Sequence, residues 1–248
     1  NLGYRLPNRI RKLNRNSRIL YFQKGRPDIV KKYIAITLLL LTNNSVAIDL
    51  DIGEEINEVC AGCHGEYAEG GKDGEYPRLA GLPIKYLEKE LRLFKSHERL
   101  NHPMVPYTKE RELPEEDLLN VSAYINRIKL YSKLPPIIDK DNFNAYERLL
   151  LSERLLNIAR IDGDYAGGKL IYNNECKSCH GQNGEGKEKK DIPFLAGQYS
   201  KYLLKQINAY QSGERVHDEE ASSDSIFIGY SSTDLNNLLA YISLLDDK

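Results

Sequence analysis

The chain has 248 residues, with 35 Lys/Arg against 36 Asp/Glu and a formal net charge of −1. That length leaves room for two ordinary domains. The near-zero charge hides an asymmetry: residues 1–47 hold ten basic residues and the single acid Asp28, and the remaining 201 residues carry 25 basic and 35 acidic ones, a formal charge of −10. An acidic body of that kind excludes nucleic acid as a partner and favours proteins with a basic docking face.

The first element is expected to be a targeting segment. Lys31 and Lys32 precede the apolar run Tyr33–Leu41, and a short polar stretch ends at Ser45-Val46-Ala47. A basic start, a short apolar middle and a small-residue end form a secretory signal pattern over 30–47, with cleavage after Ala47. The apolar run falls well short of the ~20 residues that span a bilayer, so the chain is expected to be exported to the periplasm. It would be membrane-attached only if that segment is retained. Residues 1–29 are basic and without hydrophobic periodicity, and are read as upstream sequence, with the start of the product near Val30.

Next comes a short amphipathic helix from Ile52 to Val59, leading into Cys60-Ala-Gly-Cys63-His64. The same pattern recurs as Cys176-Lys-Ser-Cys179-His180 behind a helix from Gly167 to Asn174, and the two copies use every cysteine in the chain. C-x-x-C-H is the attachment signature of a c-type haem: each thiol adds across a vinyl group, and the histidine reaches the iron. Two covalently bound haems are therefore expected, on Cys60 and Cys63 and on Cys176 and Cys179, with His64 and His180 as proximal ligands. The rival readings explain less. A four-cysteine zinc site rarely places histidine directly after both pairs, a redox dithiol needs a βαβ setting, and disulfides leave both histidines without a purpose.

Behind each motif lies a Gly-rich loop, then a second helix. Tyr86, Leu87, Leu91 and Phe94 share a face of the first copy, and Tyr202, Leu203, Ile207 and Tyr210 share that of the other. A last helix starts behind Pro114-Glu-Glu-Asp in one copy and behind Ser232-Thr-Asp in the other. Self-comparison at an offset of 116 superposes the cysteine motifs, Pro77 on Pro193, Tyr86 on Tyr202 and Arg99 on Arg215, and slips by one residue before Ala123-Tyr-Ile meets Ala240-Tyr-Ile. The expected architecture is all-α: domain 1 over 48–130, a linker over 131–160 opened by Pro135-Pro136, and domain 2 over 161–248. A linker helix within Asn142–Ile158 is expected to pack Leu149, Leu150, Leu155 and Leu156 between the domains; the alternative is a solvated tether.

The sixth ligand of each iron sets its potential. Met104 is the chain's one methionine, held between Pro103 and Pro106, and is the expected ligand of the first iron ahead of His102 and His97. The second copy has no methionine. His217 is its candidate, giving a bis-histidine haem; the alternatives are an open iron or another ligand such as lysine, with His217 an exposed loop residue beside Asp218-Glu-Glu.

Residues 51–248 resemble the dihaem class I cytochromes c, which include soluble dihaem cytochromes of respiratory chains and the cytochrome subunit of flavocytochrome c sulfide dehydrogenases. The resemblance rests on Cys-Ala-Gly-Cys-His-Gly at 60–65, Cys-Lys-Ser-Cys-His-Gly at 176–181, Pro-Arg-Leu-Ala-Gly at 77–81, Pro-Phe-Leu-Ala-Gly-Gln-Tyr at 193–199 and the two Ala-Tyr-Ile segments. It implies two small helical cytochrome domains with their haems close together. It also implies that Pro77 and Pro193 offer carbonyls to the proximal histidines, and that each haem receives a methionine. Ser223 stands where the second would fall. The implied function is single-electron transfer between a donor dehydrogenase or quinol oxidase and a terminal acceptor, with redox proteins as partners and no catalytic residue. The alternatives are the haem subunit of a larger dehydrogenase, for example a sulfide-oxidising one, and a haem enzyme with an open second iron.

Overall fold

A computed structural model describes residues 47–217 and 227–245. The expected leader up to Val46, the acidic run 218–220 and Ser223 lie outside the described residues. Helix α1 spans Leu50–His64, with the side chain of Asp49 accepting from the N–H groups of Asp51 and Ile52. This cap starts the helix, and the helix runs through the whole cysteine motif instead of stopping at Val59. Helices α2 (Ile84–Lys95) and α3 (Glu115–Arg127) complete the first half. Leu87, Leu118, Val121 and Ile125 form its apolar centre with Ala68, Ala80 and Leu113.

The second half repeats this plan. Helix α5 (Tyr165–Ile171) is capped by Asp164, passes through a π-helical turn at Tyr172–Cys176, and continues as α6 (Lys177–His180). The two capping aspartates are 115 residues apart, whereas the first cysteines are 116 apart. The wide turn takes up that one extra residue, which is how π turns commonly enter α-helices. Helices α7 (Ser200–Gln211) and α8 (Ser232–Ile242) close the domain around Tyr172, Leu203, Ile207, Leu235, Leu238, Leu239 and Ile242. Among the described residues the only β pairing is isolated bridges, such as Gly71 with Tyr76 and Lys187 with Ile192.

In each half the first helix crosses the last at backbone distance. A Cβ on Gly53 would meet the Asn120 carbonyl oxygen at 2.4 Å, and one on Gly168 would meet that of Asn237 at 1.9 Å. The same asparagines accept, through Oδ1, the N–H of the capping aspartates: Asp49 to Asn120 and Asp164 to Asn237, both at 2.9 Å.

The linker departs from expectation. Helix α4 covers only Ala145–Glu153 and buries no residue. Leu149 is 55% exposed, and Leu150 and Leu155 are exposed as well. Of these four only Leu156, at 4% exposure, joins the first domain's core, where the Leu156 N–H donates to the Tyr131 carbonyl at 2.7 Å and the Tyr131 N–H to the Arg154 carbonyl at 3.1 Å.

The domains meet through apolar and polar groups: Phe194 and Tyr199 pack on the first half's core. The Arg78 N–H donates to Gln198 Oε1 at 3.0 Å and Gln198 Nε2 donates back to the Arg78 carbonyl at 2.9 Å. The Arg78 guanidinium lies over the Phe194 ring at 4.3 Å. No helix among the described residues is long and apolar enough to cross a membrane.

Gly168→Ala is expected to lower stability by about 1–3 kcal/mol, the usual cost of overpacking. Gly62→Ala, with nothing within 4 Å of its added carbon, should be neutral or slightly stabilising. Denaturant unfolding of the two variants beside the parent protein checks this.

Candidate haem sites

The last turn of α1 presents Cys60, Cys63 and His64, and Gly65, at a φ of 85°, ends the helix. The chain then folds back so that Pro77 meets the histidine: His64 Nδ1–H donates to the Pro77 carbonyl at 3.0 Å. A carbonyl can only accept, so this contact puts the proton on Nδ1 and leaves the Nε2 lone pair for a metal. His180 makes the same bond to the Pro193 carbonyl at 2.9 Å. Burial holds the His64 imidazole below its usual range, and burial, offset in part by the Pro193 contact, pushes His180 down to about 4. Both rings are therefore neutral at pH 7, the state in which imidazole ligates.

None of the four cysteines is in a disulfide. Burial pushes the Cys60 thiol up to about 11 and the Cys176 thiol up to about 12, the opposite of the lowered values of reactive dithiol pairs. Among the described residues no three His, Cys, Asp or Glu side chains gather as a metal cluster.

Both motifs open into one continuous cavity of about 2120 Å³, lined by Cys60, Cys63 and His64 at one end and by Cys176, Cys179 and His180 at the other. Its walls are largely apolar, with Leu79, Leu91, Phe94, Ile207 and Phe227 among them. The donor set, the neutral imidazoles and this space suit two thioether-linked porphyrins.

Met104 lines the first end of the cavity. Its loop is pinned at the backbone: Met104 N–H donates to the Asn101 carbonyl at 2.9 Å, and the Met104 carbonyl accepts from Tyr107 N–H, Thr108 N–H and Thr108 Oγ1. His97 and His102 are exposed and do not line the cavity. At the second end His217 is half-buried and also lines it. Its ring centre stands 6.1 Å from that of His180, tilted by 56°. Tyr210 at 5.0 Å and Phe227 at 5.8 Å flank it edge-on, so it is a wall of the site rather than an exposed loop residue.

Sequence reasoning missed a group between the two ends. Glu90 pairs with Arg99 and Arg215, whose guanidiniums reach across the domain boundary. All three lie in the cavity wall. The repeat offset of 116 pairs Arg99 with Arg215, a signal that these arginines hold equivalent places, although the offset says nothing of their contact with one carboxylate.

Helical halves that each bring a C-x-x-C-H motif to a shared apolar cavity define a tandem haem protein of the electron-transfer class. The Cytochrome c family model matches residues 51–129 and 165–246, one match per half, and the chain belongs to that family, carrying two haem c groups. Cytochrome c4 of Azotobacter vinelandii is 27% identical over 84% of this chain and 97% of its own length. The thiosulfate dehydrogenase electron acceptor of Stutzerimonas stutzeri is 31% identical over 76% of this chain and 80% of that protein. The crystal structure of reduced recombinant cytochrome c4 from Pseudomonas stutzeri superposes with a TM-score of 0.62, covering 80% of this chain and 100% of that one, at 24% identity; that last likeness concerns the fold.

Replacing Cys176 and Cys179 together by serine should leave a product whose intact mass has lost one haem, with the first haem's absorption retained. A product still carrying two would overturn the assignment of the second site.

Proposed function

We propose that this chain is an exported two-centre electron carrier, taking single electrons from a donor enzyme at one end of the cavity and passing them to an acceptor at the other. The observation that carries this reading is the single cavity shared by both attachment motifs. It brings two attachment sites to one protein interior, with Glu90, Arg99 and Arg215 in the wall between its ends. When bound, the haems supply the one-electron chemistry. The protein's part is to hold, orient and tune them.

His64 and His180 are the proximal ligands in this reading, each fixed in tautomer and ring plane by a proline carbonyl. Met104 is the sixth ligand of the first iron and His217 that of the second. Two imidazoles flanking one metal at bonds of about 2 Å have ring centres roughly 6 Å apart, which supports the pairing of His180 with His217. Thioether ligation raises a haem's potential relative to imidazole, so the first haem is the more oxidising. Electrons then favour passage from the His217 end to the Met104 end. Acidic residues outnumber basic ones over the described body, and this supports a salt-sensitive encounter with basic partner faces.

A second reading has specific support: the 31% identity to a protein named as the electron acceptor of thiosulfate dehydrogenase. In that case the donor is a sulfur-oxidising dehydrogenase, and the chain is its companion rather than the catalyst. Rapid reduction of the purified dihaem protein by such an enzyme and its substrate supports it. Failure at matched ionic strength removes it while leaving the carrier reading in place.

Low-temperature EPR with a redox titration tests the ligation. Two low-spin haems of separated potential are expected, and a high-spin second haem in the parent protein would overturn the His217 assignment. His217→Ala should convert only the second haem to a form that binds carbon monoxide when reduced. Met104→His should lower the potential of the first haem alone; an unchanged potential would remove Met104 from the iron.

A further inference from the structure

Between the two haem ends, equivalent side chains from the halves interlock. Glu90 Oε2 accepts from Arg99 Nη1 at 2.5 Å and Glu90 Oε1 accepts from Arg215 Nη2 at 2.7 Å. Arg99 Nη2 donates to Gln206 Oε1 at 2.8 Å and to the Tyr202 hydroxyl at 3.3 Å. Arg215 Nη1 donates to Gln206 Oε1 at 2.6 Å, and its Nη2 also reaches the Tyr86 hydroxyl at 3.1 Å. Each guanidinium lies over an aromatic ring of its own half, Arg99 over Phe94 at 4.5 Å and Arg215 over Tyr210 at 4.9 Å. Tyr86 with Tyr202, Phe94 with Tyr210 and Arg99 with Arg215 are pairs at the repeat offset. The pairs match in place; Phe94 has the counterpart Tyr210, both aromatic, and Glu90 stands where the second half has Gln206, the one difference that alters charge.

That single difference decides the charge. Within this cluster, two arginines and two neutral amides would carry two positive charges; Glu90 reduces the cluster's net charge to one. The side chains of Glu90, Arg99 and Arg215 are only 12%, 10% and 7% exposed, so solvent and salt screen the charges weakly. The two neighbouring arginines hold the Glu90 carboxyl below its usual range against the cost of burial, so it stays ionised at neutral pH. A haem that takes up an electron gains negative charge, and uncompensated cations beside it stabilise the reduced form.

We propose that Glu90 is a charge-setting and positioning residue common to both haems: by binding Arg99 of its own half and Arg215 of the other, it cancels one of two buried cations and lowers both reduction potentials together. It acts through the arginines and is not itself a ligand. The inference rests on the presence of two haems, and it extends that reading from separate axial tuning to a shared control.

The test uses two nearly isosteric variants of opposite sign in the full dihaem protein. Glu90→Gln makes the amide and arginine members of the cluster two-fold and adds a net positive charge; Gln206→Glu neutralises it. Redox titration, following each haem by its own absorption, should show Glu90→Gln raising both potentials by about tenfold in each reduction equilibrium, ~59 mV for a one-electron couple. Gln206→Glu should lower both. Shifts confined to one haem, shifts of the same sign in both variants, or no shift in Gln206→Glu would overturn the proposal. Should Glu90→Gln fail to fold, Gln206→Glu is read beside the neutral Gln206→Leu: a fall in both potentials found only in the charged variant carries the proposal, and an equal fall in the neutral one, as loosened packing and water entry would give, overturns it. Haem content measured beforehand separates this outcome from a failure of the haem assignment: a parent protein with fewer than two haems refutes that assignment and not the role of Glu90.

Discussion

The close crossing of the first and last helices constrains everything else in each half. Gly53 rests on the Asn120 carbonyl and Gly168 on that of Asn237, and the same asparagines tie down the residues that cap the crossing helices. One asparagine thus does both, its backbone carbonyl setting the separation of two helices and its side chain the point at which one begins. The cysteines and histidine sit at the other end of that helix, so its anchorage places them. Pro77 and Pro193, brought back by the Gly-rich loops, complete the task by fixing the imidazole planes.

Much of this was legible in the chain. The duplicated cysteine motif identified the cofactor chemistry, because few arrangements need a histidine directly after both pairs, and periodicity in Tyr86–Phe94 and Tyr202–Tyr210 located the second helix of each half. The full length of α1 was not, since Cys60, Gly62 and His64 break its apolar period just where the helix serves the site. The linker leucines misled. Leu149 and Leu150 have the spacing of a buried helix, yet α4 faces solvent and only Leu156 packs. His217 could be named as a candidate, but its seat against Tyr210 and Phe227 is a tertiary contact that no local pattern records.

The join between the halves combines the packing of Phe194 and Tyr199 on the first core with a buried network of ions and amides. Buried ion pairs recover little net stability because each charge surrenders its hydration, while removing one partner leaves an uncompensated charge at a cost of about 3–5 kcal/mol. Such a network is poor at adding stability and good at excluding alternative dockings. The reciprocal bonds of Arg78 with Gln198 work in the same direction, so the two ends of the cavity keep one mutual geometry. For a molecule that hands electrons between two centres, a fixed separation matters more than a strong seam.

The π-helical turn at Tyr172–Cys176 has a consequence for direction. Adding one residue to a regular α-helix swings everything beyond it by about 100° around the axis, which would aim His180 away from Pro193. Widening one turn absorbs the surplus locally, so the imidazole arrives at the same azimuth as His64 despite a longer approach. In this chain the length of the leading helix was free to drift, and its angular phase was not.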